Sequence, residues 1–405
     1  MERSTPDSLY ALETGDTELD RALRLALGCL VINTRCMRAG AMEQAGPCLM
    51  AGLDYPSPWT RDAAINVYFA AAELYPGIAK NTLLSVLERR EDGWAAGGQY
   101  WDRIIWVLGA HRLWKTTGDG AWLRFAREVS ERTVRECESM EYDPADGLFF
   151  GAAVYGDGVS AYPEKYRNPD LSSGISRWSA LHPGERRSIG GGLPMKALSL
   201  NCLYAHVYAL LAEMAQALSL PRREWDEKAE AMRKAIDRRF WDPETGTYDY
   251  LAGECRAQEG LGLAFCLLFD IADDEKALSV IEKAYIAPHG IPCVWPAFPP
   301  YAENGFGRHS GTVWPHVQGF WALATLHRGK REPFERERHL MAAHAARDGQ
   351  FAEIYHPMDG GIYGGLQEGG GKYIEWRSCS WQTWSATAFL ATVMADPELK
   401  RKTNA

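Results

Sequence analysis

Apolar positions recur along most of this chain with a helical period. From Thr17 to Met37, Leu19, Leu23, Ala26, Leu27 and Leu30 supply most of one face of an amphipathic helix. The same pattern predicts helices over Asp62–Leu74, Ile78–Leu87, Tyr100–Lys115, Ala121–Ser139, Pro194–Leu218, Glu224–Arg239, Gly260–Ile271, Asp274–Tyr285, Thr312–His327, Pro333–Asp348 and Ser380–Ala395. No alternation of strands and helices accompanies them. A second rhythm does. Short connections such as Tyr75-Pro76-Gly77, Thr117-Gly118-Asp119 and Arg328-Gly329-Lys330 alternate with long ones rich in Gly, Trp and Tyr. The long ones are Arg38–Arg61, Glu88–Gln99, Tyr142–Leu193, Trp241–Glu259, Ala287–Gly311 and Gln350–Cys379. Six helical hairpins joined by six long loops predict an all-α chain forming one (α/α)6 toroid over residues 1–405, with the long loops gathered at one end. Long loops in a compact fold are the expected seat of function.

Composition narrows the chemistry. The chain has 44 Lys+Arg against 53 Asp+Glu, a formal charge of −9, and no basic run, which argues against nucleic acid as a partner. No apolar stretch approaches the ~18 residues of a membrane span, and the N-terminus lacks the order of a secretory signal. Nine scattered cysteines without a Cys-x-x-Cys pair point to reduced thiols. A cytoplasmic protein is therefore expected, with no metal or other cofactor required. The 15 Trp, 18 Tyr and 39 Gly suit flat sugar rings held between glycine-rich loops, although Trp also fills large cores.

The first long loop ends Trp59-Thr60-Arg61-Asp62. An adjacent guanidinium and carboxylate can grip vicinal hydroxyls, with Trp59 as a wall; Asp62 equally suits a helix N-cap. This Trp-x-Arg-Asp string resembles the segment that glucoamylases and amylo-α-1,6-glucosidases place against the non-reducing-end sugar. Gly97-Gly98-Gln99-Tyr100-Trp101-Asp102 is similar to a Trp–Asp element of six-hairpin glycosidases. Ser199-Leu200-Asn201-Cys202-Leu203-Tyr204 resembles a trehalase helix. Gly311-Thr312-Val313-Trp314-Pro315-His316 with Gly319-Phe320-Trp321 is close to a motif of amylo-α-1,6-glucosidases and glycoside hydrolase family 63. Glu353-Ile354-Tyr355-His356-Pro357-Met358-Asp359-Gly360 resembles the loop before the last helix in family 63 and trehalases.

The resemblance spans nearly the whole chain and implies an inverting exo-α-glycosidase, α-glucosidase-like, acting on a short oligosaccharide or small glycoside. Inversion needs a protonated carboxyl beside the leaving oxygen and a carboxylate activating water on the opposite face. By resemblance Glu353 is the base. The acid is expected in the loop after the fifth helix, where Asp157 sits between glycines among apolar and aromatic residues, an environment able to raise its pKa. Asp102 and Asp170 are its rivals, because the trehalase Ser-Gly-x-Asp string is absent. Substrate-binding candidates are Trp59, Arg61, Asp62, Gln99, Trp101, Asp102, Glu259, Trp295, His309 and Trp314. Glu259 equally suits a helix N-terminus. Trp376, Trp381 and Trp384 are assigned to the core, and Gly190–Gly192 and Gly369–Gly371 to pocket rims. The first helix begins near Thr17, without the N-terminal β-sandwich of many clan members, so a small carbohydrate is the expected partner. Two other readings remain: a sugar epimerase of the N-acylglucosamine 2-epimerase type, using His309 and His316, and a non-catalytic sugar-binding toroid.

Overall fold

The computed structural model describes residues 4–399. Among them, the longer helices are α1 (Thr17–Ile32), α2 (Thr60–Asn66, continuing through a π-helical turn, Val67–Ala71, into Ala72–Leu74), α3 (Pro76–Ser85), α4 (Tyr100–Thr117), α5 (Gly120–Glu141), α6 (Leu198–Ala217), α7 (Arg223–Phe240), α8 (Gly260–Leu268), α9 (Asp274–Lys283), α10 (Pro315–His327), α11 (Arg331–Asp348) and α12 (Thr383–Ala395). Every second one belongs to an inner ring. α2 packs on α4, α4 on α6, α6 on α8, α8 on α10, α10 on α12, and α12 returns to α2. The molecule is an (α/α)6 toroid.

Burial separates the two rings. Inner helices are apolar nearly all round: every residue of α12 from Thr383 to Met394 is buried, as is α8 from Gly260 to Leu267. Outer helices such as α5 and α7 bury one stripe, Trp122, Leu123, Ala126 and Val129 in the first and Trp225, Ala229, Met232 and Ile236 in the second. Aromatic rings pack between the inner helices; Phe320 lies 4.5 Å from Phe69 and 5.1 Å from Phe265.

The long loops are more ordered than the periodicity implied. They carry short antiparallel pairs, Thr34–Met37 with Gly46–Leu49, Leu87–Arg90 with Gly93–Ala96, and Leu366–Gly369 with Lys372–Glu375. The first helix accordingly ends at Ile32, not Met37, because Thr34–Met37 pairs as a strand. The helix predicted to reach Ile271 ends at Leu268, where Asp270 turns the chain at φ 53°. Among the described residues no helix is long and apolar enough to cross a membrane.

Candidate active site

The loops preceding the inner helices open onto one cavity of about 280 Å³. Four of its lining residues are N-caps of inner helices: Trp59 for α2, Gln99 for α4, Trp314 for α10 and Gln382 for α12. None makes a side-chain cap bond. Their side chains face the cavity instead, and the positive ends of four helix dipoles converge there.

Asp157 sits on a loop fixed from both sides. Tyr155 adopts φ 65°, and the Tyr162 hydroxyl, fully buried, accepts the Ala153 N–H at 3.0 Å and donates to the Gly156 carbonyl at 2.5 Å. The Ile175 N–H donates to the Asp157 carbonyl at 2.9 Å. Held this way, the carboxylate presents Oδ2 to Arg61 Nη2 at 3.1 Å and Oδ1 to His309 Nε2 at 3.3 Å. Arg61 is itself anchored from below: its Nη1 donates to Asp102 Oδ2 at 2.9 Å and Oδ1 at 3.0 Å, and to Gln99 Oε1 at 3.2 Å. Desolvation acts to raise the Asp157 carboxyl. Arg61 and then His309 and Arg308 outweigh it, and hold the group well below the usual carboxylate range. The raised pKa expected from the apolar surroundings is therefore corrected: the sequence neighbours are apolar, but the spatial ones are cationic.

Glu353 enters from the loop before α12. Its Oε2 accepts from Arg308 Nη2 at 2.6 Å and from the Cys379 N–H at 3.0 Å. Arg308 is buried and tied to the Gly364 and Arg377 carbonyls at 2.9 and 3.2 Å. Two donors thus fix one oxygen of Glu353.

Asp62 is neither exposed nor an N-cap. It is the third residue of α2, buried, and its Oδ1 accepts from Gln382 Nε2 at 3.1 Å. Desolvation pushes it up to about 7, with Arg61 pulling it down and Glu353 and Asp102 pushing it up.

The structure thus brings Trp59, Arg61, Asp62, Gln99, Asp157, His309, Trp314 and Glu353 to one cavity. It places the other candidates elsewhere. Asp102 lies beneath Arg61, 2 % exposed, with burial raising it to about 6 against the pull of Arg61. Trp101 is fully buried in the core. Glu259 is the N-cap of α8, buried, accepting the Ser199 N–H at 2.9 Å. Trp295 stacks on Tyr285 at 4.1 Å, away from the cavity. Asp170 is bound to Ser172 and, at 2.9 Å, to Arg177. His316 lies buried behind Trp314, Tyr155 and Trp384.

Sequence reasoning missed Tyr55, Arg308, Tyr155, Gln367 and Gln382, which also line the cavity, and it assigned to the core Trp376 and Trp384, which line it too. Trp376 is 39 % exposed, its backbone N–H bonded to the Gly365 carbonyl at the base of the Leu366–Gly369 hairpin. Arg308 carried one available signal, its place directly before His309 and the Gly311–His316 motif.

A sugar-sized pocket at the loop end of an (α/α)6 ring, with carboxylates on separate loops, defines a six-hairpin glycosidase. The family model described as the mannosylglycerate hydrolase MGH1-like glycoside hydrolase domain matches residues 109–385, and the chain belongs to that family of glycoside hydrolases. Among solved structures, the family 63 mannosylglycerate hydrolase of Thermus thermophilus in complex with glucose is 17% identical, with a TM-score of 0.66, covering 91% of this chain and 99% of that one. The same enzyme in complex with Tris is 18% identical, with a TM-score of 0.63, covering 90% and 98%. A rhamnose-bound rhamnosidase from Klebsiella oxytoca is 12% identical, with a TM-score of 0.60, covering 95% of this chain and 64% of that one. Comparison with curated protein sequences gives no match.

Proposed function

We propose that this protein is an inverting exo-α-glycosidase that removes one terminal hexose, an α-glucosyl or α-mannosyl unit, from a small glycoside. The observation that carries the reading is a pair of carboxylates from different loops, Asp157 and Glu353, each held by its own arginine and both facing one sugar-sized cavity. Arg61, Asp62 and Gln99 supply donors and acceptors for the ring hydroxyls, and Trp59 and Trp314 supply flat faces. Glu353, with Oε2 bound by Arg308 and Cys379, has Oε1 left to accept a proton from water as it attacks the anomeric carbon. Asp157 protonates the departing oxygen, and the carboxylate that results is stabilised by Arg61 and His309. The glucose and the mannosylglycerate hydrolase named for the structural neighbours support a small hexoside as substrate.

The test is proton NMR of the anomeric region during cleavage of trehalose, kojibiose, nigerose, maltose, isomaltose, and α-glucosyl and α-mannosyl glycerates. The β-anomer should appear first, and Glu353→Gln should lower kcat by about 10³-fold or more. Early release of the α-anomer would overturn inversion.

One observation favours a second assignment of the acid. Asp62, pushed up to about 7, is the cavity carboxyl that more readily carries a proton at neutral pH. Leaving-group dependence separates the two. The acid's alanine variant keeps much of its rate on a glycosyl fluoride, which needs little protonation, and loses about 10²–10⁴-fold on an alkyl glycoside. Asp157→Ala is expected to show that split; if Asp62→Ala shows it instead, the roles exchange.

A further inference from the structure

Asp157 is gripped asymmetrically, and the asymmetry dictates where its proton can sit. Oδ2 faces Arg61, which only donates hydrogen bonds, so Oδ2 stays unprotonated while Arg61 is in place. Both oxygens of Asp102 keep Arg61 there. Oδ1 faces His309 Nε2, and an imidazole nitrogen can donate or accept.

The far side of the ring has an equally two-faced partner. His309 Nδ1 meets Ser160 Oγ at 3.4 Å, and that oxygen lies 3.3 Å from the His309 backbone N–H. Ser160 is fully buried. Its hydroxyl can point its proton at Nδ1 or receive Nδ1–H. The ring is stacked on Trp314 at 5.0 Å, which fixes its plane. The charged groups around it are Asp157, Arg308 and Glu353, the last two joined at 2.6 Å, with Arg61 across Asp157; the Tyr155 ring stands at 6.0 Å and His316 lies beyond it. Burial lowers the His309 pKa, so the ring is neutral near pH 7.

We propose that His309 and Ser160 form a two-position tautomer switch that lets Oδ1 of Asp157 gain and lose its proton while the imidazole stays neutral. The inference rests on the reading of Asp157 as general acid. With Asp157 ionised, Nε2–H donates to Oδ1 and the Ser160 hydroxyl donates to Nδ1. To load the acid, a hydronium ion gives its proton to Nδ1 and is left as water, the Nε2 proton passes to Oδ1 in the same step so that the ring gains no charge, and Ser160 turns from donor to acceptor. One N–H bond forms and one breaks on the ring, while one O–H bond breaks in the hydronium ion and one forms at Oδ1. Cleavage then delivers the Oδ1 proton to the glycosidic oxygen, after which Nδ1 gives its proton to water, Nε2 takes one from water and Ser160 turns back to donor. His309 and Ser160 act through Asp157 and are positioning residues.

The tautomer can be read directly. In Asp157→Asn, Arg61 demands the amide oxygen, so the amide N–H must face His309 Nε2 and force the Nδ1–H form. Long-range ¹H–¹⁵N spectra of the full-length protein labelled at histidine, with His309→Gln identifying the resonance, should show Nε2–H in the wild type and Nδ1–H in Asp157→Asn. The same tautomer in both, or a charged ring, overturns the switch. Kinetics provide the second measurement. Ser160→Ala should lower kcat on an alkyl glycoside by about tenfold with KM unchanged, lose less on a glycosyl fluoride, and displace the alkaline limb of the pH profile; Ser160→Thr should restore all three. Equal losses on both substrates overturn the catalytic role. If Asp157→Ala itself shows no leaving-group dependence, the acid reading fails, while the tautomer reversal still reports on the switch.

Discussion

Asp157 and Asp62 are the same residue type in one cavity, yet their proton affinities are pushed in opposite directions. The Arg61 guanidinium and a His309 ring nitrogen sit on the first; the second is buried against an amide, and Arg61 and a backbone hydrogen bond lower it less than burial raises it. Glu259 carries the effect of burial further, because desolvation raises it to about 7 with Ser199 as its opposing partner. The sign of its stability contribution follows. The folded protein binds this proton more tightly than the unfolded chain, so the contribution is full at pH 4 and below and is lost as pH rises through 7. Glu259→Gln retains an acceptor for the Ser199 N–H and removes the titration. Its stability relative to wild type, measured by urea unfolding at pH 5 and pH 8, should therefore rise with pH by a few kcal/mol at most. Placement was legible where a motif fixed both identity and position, as with Arg61 and Glu353, both of which face the cavity. Arg308 was not legible, because its significance comes from a contact with a residue 45 positions away.

At the scale of elements, the helices could be read because their apolar spacing is the physical requirement for ring packing. The loops could not, since two- to four-residue strands leave no period to detect, and the register of a hairpin depends on its partner. Gly158 shows how closely a loop is fitted. A Cβ there would lie 2.7 Å from His309 Nδ1. Gly158→Ala must therefore displace the ring that contacts Asp157. Activity should fall by up to about 100-fold, the scale set by a 1 Å misplacement, with little change in Tm. Circular dichroism melts beside initial rates check this, and unchanged rates would contradict the packing described. The N-cap positions give a related lesson: Gln99 and Gln382 look like ordinary helix-start residues in the sequence, while in the fold their side chains reach Arg61 and Asp62.

For the molecule as a whole, the stable unit is the closed inner ring. Phe320 stands where α10 meets α2 and α8, touching Phe69, Tyr68 and Phe265. Phe320→Ala should cost about 3–5 kcal/mol in urea unfolding, with a single loss of structure and activity together. An (α/α)6 ring was foreseeable from the alternation of short and long connections. The aromatic lining was foreseeable only for Trp59 and Trp314; Trp384 on a buried helix and Trp376 beside a hairpin share no pattern that separates a core tryptophan from a pocket one.

Closure also has a temporal meaning. Asp62 takes its hydrogen bond from Gln382, 320 residues later, and Asn66 takes one from Thr387, 321 residues later. The helix that completes the ring follows the other eleven in the chain, so it leaves the ribosome after them. A growing chain can assemble five hairpin-linked segments and still own no complete sugar pocket, so competence for hydrolysis arrives in one late step, when α12 slides between α2 and α10.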